Sequence, residues 1–206
     1  MKTSGFFMGL LFLASSCSGG INSEMKENKP KKDLSEYETA YFASGCFWCV
    51  EAIYEHVEGV AEVYSGYAGG HTKNPTYEDS NTGTIGHAEA VEIYYDPEVV
   101  SFKQLVDVYF GTQNIEQVNG QGNDIGSQYR SIAFYQNEAE KKIIEHKIKE
   151  LEVEGYKVAS EVKAFEKFWM GEDYEKKHPD HPYIKAVSVP RLNRFKRDFP
   201  DLLKKE

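Results

Sequence analysis

The spacing of apolar residues along the chain predicts alternating short strands and helices from residue 37 onward. Strands are predicted at residues 37–44, 60–67, 87–95, 129–136 and 156–162. Helices, in which apolar residues recur three and four positions apart, are predicted at residues 46–56, 101–109, 137–154 and 191–199. We expect a loop and then a short helix over 164–178. Because the elements interleave without a strict βαβ rhythm, the predicted fold class is α+β, a mixed α/β sandwich with a ferredoxin-like core in a single domain.

Three polar segments interrupt this pattern. Residues 69–86 and 111–128 are rich in turn-forming residues, and connections of this length are uncommon unless they are functional. Residues 18–36 are charged and almost without aliphatic side chains, which is typical of a flexible tether.

The N-terminus has the pattern of a targeting segment. Lys2 precedes an apolar run, Phe6 to Ala14, that is too short to span a bilayer. Small residues then lead to Cys17, as at a bacterial lipoprotein cleavage site; the alternative is an ordinary secretory leader with an incidental cysteine. We therefore expect a signal peptide over 1–16, a lipidated Cys17 with its tether over 17–36, and an exported lipoprotein anchored to a membrane of the cell envelope.

Composition restricts the partners and the chemistry. The 206-residue chain has a formal net charge of −9, which argues against nucleic acid as a partner because phosphate binding needs a basic face. It has 3 cysteines. If Cys17 is acylated, Cys46 and Cys49 form a redox-active or a metal-binding pair. The sequence has no second cysteine pair to complete a zinc site, so no metal is predicted.

Cys46 is the strongest candidate for a nucleophile. It follows Gly45 where a strand is predicted to give way to a helix, and a helix start lowers the pKa of a thiol. Cys49 lies one helical turn further and could form a disulfide once Cys46 is oxidised. The alternative for Cys49 is simple packing on the inner face of the helix.

Two further features extend the site. Phe47 and Trp48 separate the thiols, and two rings beside a nucleophile would form an apolar wall for a group such as a methyl. Glu89 is in phase with Val91 and Ile93 on an alternating strand, so we expect it to be buried with a raised pKa. The alternative is an exposed strand residue.

Four ordered blocks resemble the peptide methionine sulfoxide reductase A family, and they cover roughly residues 40 to 135. The blocks are Gly45-Cys46-Phe47-Trp48-x-x-Glu51, Asn74-Pro75-Thr76-Tyr77, Gly83-x-x-Gly86-His87-Ala88-Glu89-Ala90-Val91 and Gln121-Gly122-Asn123-Asp124-x-Gly126-x-Gln128-Tyr129-Arg130-Ser131.

The resemblance implies a catalytic domain over 37–206 that reduces the S epimer of methionine sulfoxide, free or in proteins. It implies attack by Cys46 to give a sulfenic acid, with Glu89 donating a hydrogen bond or proton to the sulfoxide oxygen. The remaining implied roles are phenolic donors at Tyr77 and Tyr129, a pocket for the substrate methyl at Phe47 and Trp48, and a polar side shaped by Asp124, with ordered water as one way for it to act. No organic cofactor or metal is needed.

The sequence departs from the family at the resolving cysteine. Many members carry such cysteines near the C-terminus, whereas residues 200–206 contain none. Recycling must therefore use Cys49, giving a Cys46–Cys49 disulfide for a thioredoxin-like reductant, or an external thiol directly. Two other functions stay open at this point: a general Cys-x-x-Cys thiol–disulfide oxidoreductase, and a lipid-anchored binding module whose cysteines are structural.

Overall fold

The structure is a computed structural model that describes residues 33–172 and 182–205. The predicted signal peptide over 1–16, Cys17 and the tether as far as residue 32 lie outside these residues, so those assignments stay predictions. Residues 33 onward form one compact unit. Within the described ranges, no helix combines the length and the apolar character needed to cross a membrane.

Most of the described elements match the predicted strands and helices with shifts at their ends, and the polar segments 69–86 and 111–128 contain short elements that the apolar pattern does not predict. The strands are β1 (Glu38–Ala43), β2 (Val60–Ala68), β3 (Ala88–Tyr95), β4 (Gly120–Gln121), β5 (Asp124–Ile125), β6 (Ile132–Tyr135), β7 (Glu161–Ala164) and β8 (Phe168–Met170). The α-helices are α1 (Phe47–Tyr54), α2 (Tyr77–Asn81), α3 (Phe102–Gly111), α4 (Glu138–Val153) and α5 (Val189–Asp198). Short 3-10 turns occupy Ser127–Tyr129 and Pro200–Leu202, and Ile184–Ser188 is a π-helical turn.

The central sheet contains the predicted ferredoxin-like core. Its six strands run in the order β7-β6-β1-β3-β2-β8, and the inner four, β6-β1-β3-β2, pair antiparallel throughout. In chain order these strands belong to a β1-α1-β2-β3-α3-β6 unit, in which β3 lies between the parallel strands β1 and β2. Helix α4 then connects β6 to its parallel neighbour β7. The predicted α+β class is confirmed.

Each face of the sheet buries its own apolar cluster. On the helical face, the Phe42 ring stacks on Tyr54 and Tyr109, with ring centroids 5.7 and 4.9 Å apart. On the opposite face, Tyr41 stacks on Phe165 at 3.6 Å between centroids. Because successive strand residues point to opposite faces, Tyr41 and Phe42 anchor the two clusters from adjacent positions.

Local hydrogen bonds explain where the helices begin. Ser101 and Gln104 form a reciprocal capping box at the start of α3, and Thr76 and Asp79 form another at α2. The Asn137 side chain accepts two backbone hydrogen bonds at the start of α4. These caps satisfy donors that an isolated helix end leaves open.

Two predictions in the last third of the chain are wrong in detail. The strand predicted at 156–162 is limited to Glu161–Ala164, because the preceding backbone instead binds the loop near Ile115, whose carbonyl accepts the Ala159 N–H at 2.8 Å. The loop predicted after residue 164 contains β8, which pairs with the edge of β2. Gly66 permits this approach, since a Cβ there would lie 2.2 Å from the Trp169 carbonyl oxygen. The helix predicted towards residue 178 falls largely outside the described residues.

Candidate active site

Cys46 occupies the sharp turn between β1 and α1. Gly45 has a φ of +78°, and a Cβ at this position would lie 2.6 Å from the Gln121 Cβ, so glycine is needed both for conformation and for space. The Cys46 carbonyl accepts the Cys49 N–H at 3.1 Å, which makes Cys46 the residue that caps the N-terminus of α1. Cys46 therefore lies at the positive end of the α1 helix dipole.

Cys46 and Cys49 are both free and buried, and each thiol shifts the pKa of the other. Hydrogen bonding to Cys49 and burial raise the pKa of the Cys46 thiol. The hydrogen bond from Cys46 is the largest of the interactions that lower the pKa of Cys49 to about 6. The predicted depression of the Cys46 pKa by the helix start is therefore wrong for the reduced pair, because direct contact with Cys49 outweighs it. The two thiols titrate as a pair that shares one proton.

Glu89 lies on β3 with its carboxyl group beneath the start of α1. It is 1% exposed, and its carboxylate accepts the Phe47 N–H at 3.0 Å. Burial, opposed by that hydrogen bond and reinforced by the nearby charges of Asp124 and Cys49, raises the pKa of Glu89 to about 8. Glu89 is therefore a protonated acid at neutral pH, as its phase on the strand predicts.

Aromatic rings surround this acid and the thiols. The Trp48 ring lies parallel to Tyr77 within 15°, with centroids 6.4 Å apart, and Phe47 lies 5.6 Å from Trp48. Tyr67, which is directly opposite Glu89 in the β2–β3 pairing, lies 5.8 Å from Phe47. Trp48 is only half-buried, so the aromatic wall reaches the surface.

Tyr129 and Asp124 come to the same place from the long loop before β6. The Tyr129 carbonyl accepts the Gly45 N–H at 3.1 Å. Burial, with the charges of Glu89 and other site groups, raises the pKa of Tyr129, so its hydroxyl stays protonated. Asp124 accepts a hydrogen bond of 2.5 Å from the Tyr183 hydroxyl at the polar side of the site.

Sequence reasoning missed four residues of this region: Glu172, Tyr183, Ser188 and Arg191. Glu172 accepts the Tyr67 hydroxyl at 3.0 Å and the Tyr77 N–H at 3.1 Å, and so links two aromatic residues of the wall. Tyr183 presents its ring edge to Trp48 at 6.5 Å. All four lie beyond the last block, where no motif marks them, although a tyrosine next to Pro182 was a weak signal.

The described residues contain no group of three or more His, Cys, Asp or Glu side chains arranged to hold a metal ion. A thiol pair with one negative charge, a protonated buried carboxyl and an apolar aromatic wall can attack, protonate and hold a small polar sulfur compound.

Comparison with known proteins points to the same chemistry. The family model for peptide methionine sulfoxide reductase matches residues 38–202. Peptide methionine sulfoxide reductase MsrA of Saccharolobus solfataricus is 45% identical over 172 residues, 81% of this chain and 97% of the relative. The same-named protein of Sulfolobus acidocaldarius is 45% identical over 169 residues, 80% of this chain and 96% of the relative.

Two solved structures also resemble this fold. Methionine sulfoxide reductase A of Corynebacterium diphtheriae superimposes with a TM-score of 0.60 at 30% identity, covering 78% of this chain and 77% of that one. Reduced Mxr1 of Saccharomyces cerevisiae superimposes with a TM-score of 0.63 at 27% identity, covering 69% and 83%.

Proposed function

The chain belongs to the peptide methionine sulfoxide reductase family, and from this premise we propose how its own residues carry out the reaction. The activity is that of a peptide-methionine (S)-S-oxide reductase. The observation that supports the mechanism most strongly is the position of one buried, protonated carboxyl, Glu89, beside the Cys46–Cys49 thiol pair. A sulfoxide needs an acid at its oxygen and a thiolate at its sulfur, and these groups provide both.

In the first step the Cys46 sulfur attacks the sulfoxide sulfur. The proton between the two thiols passes to Cys49, so Cys46 reacts as the thiolate. Glu89 gives its proton to the sulfoxide oxygen, which makes the substrate sulfur more electrophilic and turns the oxygen into a hydroxyl group. The hydroxyl then moves to the Cys46 sulfur: the substrate S–O bond and the transient bond between the two sulfurs break, and a new S–O bond forms on Cys46. Methionine departs with two more electrons than the sulfoxide had, and Cys46 is left as a sulfenic acid.

The aromatic wall holds the substrate for this step. Phe47 and Trp48 pack against the methyl group, while Tyr77 and Tyr129 donate hydrogen bonds to the oxygen. Asp124, fixed by its hydrogen bond from Tyr183, forms the polar edge of the pocket. Because Trp48 is half-buried at the opening, a methionine sulfoxide side chain can enter from a polypeptide as well as from the free amino acid.

In the second step Cys49 resolves the sulfenic acid. The contact between the two thiols supports a Cys46–Cys49 disulfide, and a thioredoxin-like dithiol would then reduce it. This assignment makes recycling depend on Cys49 rather than on a cysteine near the C-terminus.

One assay tests the activity. The protein is incubated with the two resolved epimers of methionine sulfoxide and dithiothreitol, and the methionine released is measured. We expect only the S epimer to be consumed. Consumption of both epimers or of neither would overturn the proposed specificity.

A second comparison separates this function from the two alternatives. Glu89→Gln should remove sulfoxide reduction, whereas a general thiol–disulfide oxidoreductase does not need that acid and would keep reducing a disulfide substrate at full rate. A binding module with structural cysteines would lack a thiol that alkylates rapidly near neutral pH.

We also propose that the full chain is exported and anchored by a lipid on Cys17. The support is the sequence pattern alone: a positive residue, an apolar run and small residues ending at Cys17. Cys17→Ala should release the protein from the membrane fraction and abolish a lipid-sized mass increase on the mature N-terminus. A membrane-bound, unmodified Cys17→Ala protein would contradict the anchor.

A further inference from the structure

Ser188 makes an unusual contact for a serine that precedes a helix. A serine at this position ordinarily caps its own helix, but the Ser188 hydroxyl makes no capping hydrogen bond to α5. Its Oγ lies 2.9 Å from the Cys49 Sγ, and Ser188 is 4% exposed. The Ser188 hydroxyl therefore makes a hydrogen bond with the Cys49 sulfur in place of a capping hydrogen bond to the backbone of α5.

Arg191 reaches the same region from one turn further along α5. Its guanidinium donates to the Ser44 carbonyl at 2.9 Å, the Ser44 hydroxyl at 3.1 Å and the Thr112 carbonyl at 3.2 Å. These partners fix the guanidinium behind the β1–α1 turn but are uncharged, so they do not neutralise it. Its positive charge acts on Cys49.

The local backbone explains why Ser188 and Arg191 both lie on the side of their segment that faces Cys49. Ile184–Ser188 is a π-helical turn, a rare geometry that widens the helix and is frequent at functional sites. It passes directly into α5, so Ser188 and Arg191, three positions apart, face the same side. Tyr183, just before the turn, lies 3.8 Å from the same Sγ.

The charged and titratable groups around Cys49 act in different directions. The hydrogen bonds from Cys46, Ser188 and Tyr183 and the charge of Arg191 lower the pKa of Cys49, and burial opposes them. Glu89, from β3, would oppose the thiolate only when ionised, and its own pKa is about 8. The groups that face Cys49 are thus Cys46, Glu89, Tyr183, Ser188 and Arg191.

We propose that Ser188 and Arg191 are positioning residues that hold the Cys49 sulfur in its ionised form next to Cys46 and thereby set the rate of disulfide closure. This inference rests on the proposed resolving role of Cys49. Neither residue touches the substrate sulfur in this scheme; both act through Cys49.

In the step that they accelerate, Cys49 gives up the proton that it received in the first step, and its thiolate attacks the sulfur of the Cys46 sulfenic acid. An S–S bond forms while the S–O bond breaks. The oxygen leaves with the bonding electron pair, takes up the proton released by Cys49 and departs as water. Cys49 is oxidised and the Cys46 sulfur is reduced, with no outside reductant or oxidant.

The experiment is a single turnover of the whole protein with methionine sulfoxide and no reductant, followed at pH values from 5 to 9. Methionine released reports the first step, and loss of the second free thiol reports disulfide closure. In Ser188→Ala and Arg191→Gln the pH midpoint of closure should rise by about one unit, which slows closure about fivefold at pH 6. Ser188→Thr and Arg191→Lys, which keep the hydroxyl and the charge, should restore most of the rate.

Two matched variants test whether the effect is specific. Ser101→Ala removes a serine that does cap its helix, and Arg197→Gln removes an exposed cation from α5 that pairs with Asp198. Neither should move the midpoint. An unchanged midpoint in both Ser188→Ala and Arg191→Gln would overturn the inference.

Failure of the underlying proposal is recognisable separately. If the unsubstituted protein releases methionine but its second thiol persists, Cys49 does not resolve the sulfenic acid, and both proposals fall. If the unsubstituted protein closes its disulfide and both variants close it with the same pH midpoint, Cys49 keeps its resolving role, but Ser188 and Arg191 lose the positioning role. Because Arg191→Gln removes a charge without touching the Ser188 hydroxyl, it tests the inference even where Ser188→Ala does not fold.

Discussion

Cys46 and Cys49 lie one helical turn apart, but most of the side chains around them come from different parts of the chain. Cys46 faces Glu89 on β3 and Tyr129 before β6, both supplied by the ferredoxin-like core, and Tyr183 acts on both cysteines. Cys49 faces Ser188 and Arg191 from the last helical segment. If Cys46 reduces the substrate and Cys49 resolves the sulfenic acid, as proposed above, substitutions in the core should act mainly on the first step, and substitutions of Ser188 and Arg191 mainly on recycling.

The protonation states of Glu89 and Cys49 also have different physical causes. Burial alone is enough to keep a carboxyl protonated, and Glu89 acquires its pKa of about 8 chiefly in this way. Burial disfavours the Cys49 thiolate, but several hydrogen bonds and the positive charge of Arg191 outweigh burial and stabilise it. The surroundings of Glu89 and Cys49 thus shift their pKa values in opposite directions, which suits Glu89 to act as an acid and Cys49 to act as a thiolate.

The largest effect in this comparison is expected for Cys46→Ser. A serine hydroxyl is a far weaker nucleophile at neutral pH, so no methionine should be released even in one turnover. Cys49→Ser is the matched control, because it removes the neighbouring thiol and should keep the first turnover. The measurement is methionine released per protein molecule without reductant. A full first turnover in Cys46→Ser would move the nucleophile to another residue.

Glu89→Gln is expected to reduce the first-turnover rate by about 10² to 10³, because the amide cannot give a proton to the leaving oxygen. The unsubstituted rate should also fall as pH rises through about 8, where Glu89 ionises. Glu92→Gln is the control, since Glu92 lies on the same strand and accepts a hydrogen bond from Tyr41 away from the site. An equal loss in both variants would contradict the acid role.

The same substitution should increase stability. The folded pKa of Glu89 lies above its unfolded value of 4.5, so the carboxyl destabilises the fold progressively as pH rises from 4.5 towards 8. Glutamine removes this cost. Urea unfolding should show a gain of about 2–4 kcal/mol at pH 7 that disappears near pH 4.5. A gain that is independent of pH would point to packing instead of ionisation.

Cys49→Ser should affect recycling more than reduction. The first turnover is retained, whereas the steady-state rate with thioredoxin should fall about tenfold or more, because the sulfenic acid must wait for an external thiol. The ratio of first-turnover to steady-state rates is the measurement. Full steady-state turnover with thioredoxin would remove Cys49 from the resolving role.

The sequence was informative where local patterns and the final contacts coincide. Gly45, Cys46 and Glu89 were predictable because a strand-to-helix turn and an alternating strand specify where their side chains point. The effect of each thiol on the pKa of the other was not predictable from the sequence. It depends on a side-chain interaction with Cys49 that raises the pKa of Cys46, whereas the helix start alone would lower it. Spacing locates residues better than it determines their protonation.

The C-terminal contributions were not predictable for a related reason. Ser188 and Arg191 act across 139 or more positions of sequence separation, on a π-helical turn that no residue pattern marks. Strand β8 was hidden because three large residues in succession show no alternation. In both cases the contact that determines the structure is tertiary, and the local sequence carries little sign of it.

The smallest effect is expected for Tyr183→Phe, because Tyr183 contacts both the substrate pocket and the Cys49 thiol through a single side chain. Tyr183 donates to Asp124 and approaches Cys49, while its ring edge contacts Trp48. Phenylalanine keeps the ring and loses only the hydroxyl, so the first-turnover rate should fall about fivefold, the cost of one hydrogen bond. Since burial raises the pKa of Tyr183, its hydroxyl stays protonated and the loss should be equal from pH 6 to 9. Tyr95→Phe, which loses a hydroxyl bonded to Glu38 far along the sheet, is the control, and an equal effect there would show that Tyr183 only stabilises the fold.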